Sequence, residues 1–173
     1  RIIIWANEIA TVHGSLSARG AGNGKGGFIE TSGKQGLTIT STPNVSATSG
    51  IGGQWLLDPY NVEIVAGNTL NNSSGAPTFN PTGNSSQIGV DLITAALMTG
   101  DVTINTNTGG TQNGDITLQV PLVASGPGNL LTLNAAGDII LNEAISTVDN
   151  FEALSVALNA GGNVLGAGQS IST

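Results

Sequence analysis

Short apolar alternations separated by turn-forming clusters run along most of this chain. In "GDITLQVPLVASGPGNLLTLNAA" (114–136), Ile116/Leu118 and Leu131/Leu133 stand two residues apart, and Gly, Asn, Asp or Pro closes each run. Period-2 runs of three to six residues between such breakers predict short strands joined by turns. One stretch departs from this rhythm. In "SSQIGVDLITAALMTG" (85–100), Ile88, Leu92, Ile93, Ala96 and Leu97 follow helical spacing, with Ser85 or Ser86 placed to cap the start and Gly100 to end it. The spacing predicts one short amphipathic helix lying against the strands, which resume at "DVTINT".

The alternations also repeat. The segment opening "GDITL" at 114 lies against "GDIILNEAISTVDNFEALSVALNAG" from 137, 23 residues on, and "GNVLGAGQSIST" begins at 162, 25 residues later. Near the N-terminus, "LSARGAGNGKGGFIETSGKQGLTI" (16–39) matches "VSATSGIGGQWLLDPYNVEI" (45–64). Leu16-Ser17-Ala18 answers Val45-Ser46-Ala47, and the Gly-Gly pairs at 26 and 52 start 26 residues apart. A unit this small, holding two or three short strands, cannot bury its apolar face alone and must stack on its neighbours.

Stacking of this kind predicts a parallel β-solenoid with Ile, Leu, Val and Ala inside and neighbouring rungs about 4.8 Å apart. At about 25 residues per rung the chain would make roughly seven rungs, a rod on the order of 35 Å long. The reading is a single solenoid segment over 1–173: N-terminal rungs in 1–65, a loop excursion plus the short helix in 66–100, and C-terminal rungs in 101–173. Residues 66–87, "AGNTLNNSSGAPTFNPTGNSSQ", are turn formers almost throughout and are expected to leave the stack. The opening "RIIIWANEIA" reads as the interior of a longer polypeptide.

Composition sharpens the picture. Charged residues make up 9% of the chain, where an ordinary soluble domain carries about 25%. The 39% hydrophobic content is too high for a disordered chain, so the protein should fold and present an uncharged polar surface of Thr, Asn, Ser and Gln. The net charge is −7, and all four cations, Arg1, Arg19, Lys25 and Lys34, fall in the first 34 residues. Nucleic-acid binding needs clustered cations to neutralise phosphates and is excluded as a role; attraction to an anionic membrane is disfavoured for the same reason. No apolar run approaches the roughly 18 residues of a spanning helix, so no membrane insertion is expected. The absence of cysteine removes disulfides, thiolate metal sites and a Cys nucleophile from consideration.

Candidate chemistry is sparse. "WLLDPYN" holds three candidate glycan contacts: Trp55 and Tyr60 as stacking faces and Asp58 as a hydroxyl acceptor. The architectural alternative turns Leu56 or Leu57 to the core, has Asp58 bind local backbone N–H groups, and uses Pro59 to fix the corner before "NVEIV". That alternative is preferred, because the segment is in register with "GGFIETSG", which has no such platform. The Gly-Asp steps at 100/101, 114/115 and 137/138, with Gly-Asn at 128/129 and 162/163, suggest calcium, which takes six to eight converging oxygens. No second acid lies near any of them, so turn-opening residues are the simpler account and no metal or cofactor is expected.

Stacked Asn, Thr and Ser can hydrogen-bond up a solenoid without any ligand. An enzyme is not expected. Hydrolysis would need two carboxylates about 5 to 9.5 Å apart, which Asp101, Asp115 and Asp138 could supply only by stacking at one corner. His13, the only histidine, has no acid partner in "VHGS". "GAGNGKGG" (20–27) lacks the Lys-Ser/Thr ending of a phosphate loop and reads as a glycine-rich turn.

Taken in order, "IIIWANEIATVHGSLSARG", "GGFIETSGKQGLTI", "GGQWLLDPYNVEIV" and the later "GDVTIN" and "GDITL" resemble a segment of filamentous haemagglutinin-type large exoproteins. These are adhesins exported by two-partner secretion in Gram-negative bacteria and cyanobacteria. The resemblance is strong over residues 2–65 and looser beyond. It implies an all-β, right-handed parallel β-helix within a long fibre, secreted to the cell surface, with attachment or self-association as the role. The implied partners are the rest of its own chain, glycans of a host or neighbouring cell, or like fibres. A purely structural self-assembling filament and a glycan-processing β-helix enzyme are the alternative readings.

Overall fold

Six parallel strands pair edge to edge along the whole molecule and form its longest sheet: β1 (Ile2–Ala6), β3 (Phe28–Gly33), β5 (Gly53–Leu57), β8 (Gly100–Asn105), β11 (Leu130–Ala135) and β14 (Ser155–Ala160). The computed structural model describes residues 1–67, 85–109, 111–148 and 153–173. A second face carries β2 (Ile9–Val12) with β4 (Gly36–Ile39), then β7 (Ser86–Gly89), β6 (Val62–Val65), β9 (Ile116–Leu118), β12 (Ile139–Leu141) and β15 (Val164–Leu165). The third face holds β10 (Leu122–Ala124), β13 (Ile145–Thr147) and β16 (Ile171–Ser172), and, nearer the N-terminus, single parallel bridges at Ser17–Asn44 and Gly20–Ala47. The fold is a parallel β-solenoid.

It has about six turns rather than the seven that dividing length by period implies. Trp55 of β5 pairs with Val102 of β8, so a single step of the long sheet is bridged by the whole 66–99 insertion. That insertion consumes chain without adding a rung to this sheet. Most of the expected excursion, 68–84, lies outside the described residues.

The register explains the core. Ile2, Ile29, Trp55, Val102, Leu131 and Val156 form one inward file, and Ile4, Thr31, Leu57, Ile104, Leu133 and Leu158 the next. From Ile29 to Leu133 these residues are buried, whereas the end members Ile2, Ile4, Val156 and Leu158 are only half-buried because one side has no rung above it. Since side chains alternate across a strand, one apolar residue in two suffices to fill this interior.

The C-terminal repeat matches the pairing: Ile116 lies beside Ile139 and Ile139 beside Val164. The Gly-Gly alignment also holds, since Phe28 pairs with Gln54. The alignment of Leu16-Ser17-Ala18 with Val45-Ser46-Ala47 is displaced, because Ser17 pairs with Asn44 and Gly20 with Ala47. Here the backbone bonds Ala18 N–H to Asn44 O and Gly20 N–H to Ser46 O set the pairing, in a stretch whose small residues specify register weakly.

The helix is α1 (Val90–Leu97), shorter than expected at its start. Ser86 and Ile88 lie in β7, which pairs with β6 from Val62–Ser86 to Val65–Gly89. Neither Ser85 nor Ser86 caps the helix; Gly89 occupies the N-cap with no side-chain hydrogen bond. The Ser86 hydroxyl instead accepts the Leu37 backbone N–H at 3.1 Å, giving β4 a partner across the gap to β7. The helix ends at Met98, and Gly100 already opens β8. At eight residues its stability comes from packing rather than propensity, and Leu92, Ile93, Ala96 and Leu97 are buried beside β8 and β10.

Candidate functional site

Trp55 is fully buried in the centre of β5, between Ile29 and Val102. Its indole N–H donates to the Thr31 hydroxyl at 2.9 Å, so the one polar atom of the ring is satisfied inside the core by the preceding rung. A glycan cannot stack on it. Leu57, not Leu56, is its fully buried companion. The exposed tryptophan is Trp5, 48% accessible on β1 with the Lys34 ammonium 5.3 Å from its ring centre.

Asp58 and Tyr60 sit at the corner between β5 and β6, apart from Trp55. Tyr60 N–H donates to Lys34 O at 2.9 Å, and Asn107 N–H donates to Pro59 O at 3.3 Å, so the corner is stacked between its neighbours. Gly109 packs directly on the phenol, and a Cβ there would overlap the ring. Tyr60 is therefore packed on one side from within the fold and remains half-exposed. The Asp58 carboxylate accepts the Asn107 side-chain N–H at 2.6 Å rather than local backbone groups. Burial raises its pKa above the ordinary 3.8, and Glu30 adds to this; the Asn107 hydrogen bond and Lys34 oppose it.

The Gly-Asp residues separate into two places. Asn61, Asp115, Asp138 and Asn163 form one column at the entry to the second face. Asn61 Oδ1 accepts Gly114 and Asp115 N–H at 2.8 and 2.9 Å. Asp115 Oδ1 accepts Asp138 N–H at 2.8 Å, and Asp138 Oδ1 accepts Asn163 N–H at 2.7 Å. Asp101 lies apart, at the start of β8, and accepts Leu130 N–H at 2.8 Å. Asn129 is elsewhere again, donating its side-chain N–H to Leu97 O at 2.6 Å. These carboxylates tie one rung to the next, and the three aspartates do not gather at a single corner as the hydrolase alternative required.

The remaining sequence candidates are unremarkable in context. His13 is exposed beyond the end of β2. The 20–27 segment turns the chain toward β3, with Gly26 N–H donating to Ile51 O at 3.0 Å; a Cβ at Gly26 would overlap the backbone of Val45 and Gly53. It is a close crossing of backbones.

A ladder of amides runs along the outside of the long sheet. Asn105, Asn134 and Asn159 lie at or next to the C-terminal ends of β8, β11 and β14 in mutual register. Asn134 Nδ2 donates to Asn105 Oδ1 and Asn159 Nδ2 to Asn134 Oδ1, each at 2.7 Å. This is the rung-to-rung stacking expected of Asn in a solenoid, placed on identified residues. The signal was present in "TIN", "TLN" and "ALN", whose Asn endings coincide once the rungs are aligned. The ladder forms the floor of an open groove of about 930 Å³, which Asp58, Asn107 and Thr106 extend at one end. No family model matches the chain, and no curated protein matches it.

Proposed function

We propose that this chain is a rigid rod segment of a secreted, fibre-forming surface adhesin of the filamentous haemagglutinin type, acting in attachment or self-association. The observation that carries the reading is the uninterrupted parallel sheet through all six rungs, from β1 to β14. A continuous ladder of backbone hydrogen bonds resists bending and extension along the axis. Rung-to-rung side-chain bonds from Asn, Asp and Gln reinforce it, and charged residues make up only 9% of the chain. A chain so poor in charge supports contacts by hydrogen bonding instead of by charge.

A filament subunit is the second reading, favoured by the end rungs. Ile3 and Trp5 on the outside of β1, and Val164, Leu165 and Ile171 in β15 and β16, are 46–50% accessible, and β1 and β14 are the outermost strands of the long sheet among the described residues. Free parallel edges of matching cross-section accept further rungs, whether from the same chain or another copy. Sedimentation and cell binding of the 173-residue chain separate the readings. Attachment predicts saturable binding to cells or immobilised glycans by a species of constant size. A filament subunit predicts concentration-dependent end-to-end growth with no saturable binding. A chain that does neither overturns both.

A further inference from the structure

We propose that the amide-floored groove along β8, β11 and β14 binds a linear, uncharged glycan lying parallel to the solenoid axis. The proposal gives the attachment reading a site and rests on it. Asn105, Asn134 and Asn159 repeat once per rung, and Asp58 lies where the same outward file continues one rung earlier, since Leu57 pairs with Ile104 immediately before it. Four successive rungs therefore present a polar group at about 4.8 Å intervals, a span of about 14 Å.

The hydrogen-bond inventory points to the ligand. An Asn side chain offers two N–H donors and an oxygen with two lone pairs. Within the ladder Asn134 uses one donor and one acceptor site, and so retains one of each. Asn159 retains an unladdered oxygen, and Asn107 uses a single N–H on Asp58. A row of paired donors and acceptors at fixed spacing complements hydroxyl groups, each of which both donates and accepts. The ladder bonds also hold the amides in one orientation before a ligand arrives, which lowers the ordering cost of binding.

Charge narrows the class. The groove lining contains a carboxylate and no Lys, Arg or His, and the nearby Lys34 is opposed by Glu30 and Asp58, so phosphate, sulfate and uronate groups would meet no net positive charge there. Of the apolar lining, Ala136 is exposed on the side of the amides and suits the C–H face of a sugar ring, whereas Ala135, Leu158 and Ala160 belong to the inward files. Trp55 plays no part in contact; its burial fixes β5 beneath the groove. Asp58 keeps the hydroxyl-acceptor role that the sequence suggests for it.

The test is titration calorimetry of the 173-residue chain against neutral hexasaccharides of β-1,4-glucose, β-1,3-glucose and β-1,4-N-acetylglucosamine. A heparin hexasaccharide and a Ser/Ala-rich decapeptide are run in parallel. At least one neutral oligomer should bind, with the heparin fragment not binding. Asn134→Thr, which keeps a strand-forming polar residue, should weaken binding about tenfold, the loss of one to two hydrogen bonds. Asn107→Ala lies outside the ladder and should weaken binding several-fold; because it also removes the Asp58 hydrogen bond, its titration is run well below its own unfolding midpoint. Gln87→Ala, on the second face, should leave binding unchanged.

Neutral-glycan or cell binding that survives both groove variants overturns the groove while leaving attachment standing. Binding of the decapeptide in place of every glycan assigns the groove to peptide and overturns the proposal. Saturable binding to cells with no hexasaccharide bound at millimolar concentration does so as well. If the chain shows no cell or glycan binding of any kind, the attachment reading falls with it.

Discussion

The carboxylate of Asp115 reaches one rung along the solenoid and accepts the backbone N–H of Asp138, and Gly137 is the residue that leaves it room. A Cβ at Gly137 would overlap Asp115 Oδ1, and one at Gly162 would overlap Asp138 Oδ1. The steps at 137/138 and 162/163 thus have a joint cause: Asp115 and Asp138 each bond forward to the next rung, and the glycine before the bonded residue makes space for the carboxylate. This is a rung-coupling device.

Gly137→Ala should destabilise the fold by about 1–3 kcal/mol, the range for a forced overlap in a packed site. Adding Asp115→Ala removes one of the clashing groups, so the double variant should lose less than the sum of the two single losses. Urea unfolding of the four chains measures this; strict additivity would contradict the coupling.

The two tryptophans should report opposite environments. With Trp5→Phe, the remaining Trp55 should emit at short wavelength and resist acrylamide. With Trp55→Phe, emission should move to the red and quench readily, and stability should fall by about 1–3 kcal/mol as Thr31 loses its donor and the core loses volume. An equally quenchable Trp55 would place the indole outside the core.

Asp58 makes stability depend on pH in a stated direction. Its folded pKa is raised by burial, so the native state holds the proton more tightly than the unfolded chain does. The ionised carboxylate therefore costs stability above the raised folded pKa, and the cost is relieved as pH falls through that value toward the ordinary 3.8. Asp58→Asn keeps an oxygen for the Asn107 donor and should unfold at a slightly higher temperature at pH 7. The difference between variant and parent should shrink as pH is lowered. A variant less stable at neutral pH, or a gap that widens on acidification, would reverse the sign.

Asn134→Ala removes two ladder bonds and should cost about 1–2 kcal/mol, whereas Asn142→Ala, whose side chain makes one exposed bond to Gln119, should cost less. Hydrogen exchange offers a second readout, since protection of β11 should fall relative to β3 in the Asn134 variant alone. Uniform loss of protection would mean that the ladder has no local role.

The sequence by itself determined the architecture. Alternation of period 2 means one buried face per strand, Gly and Asn mark the corners, and a repeat near 25 residues is too small to stand alone, so rungs must stack. The pairing of Ile116 with Ile139 and of Ile139 with Val164 was readable directly from that repeat. Three matters only the tertiary structure decided. Whether Trp55 faces inward depends on its parity relative to Ile29 and Val102, which a composition argument about rare aromatics ignores. Whether 86–89 starts a helix or extends a sheet depends on β6 and β4 offering backbone partners there, a contact between segments distant in sequence. And whether Asn105, Asn134 and Asn159 meet depends on register across gaps of unequal length, since the insertions between rungs differ while the spacing between strands does not.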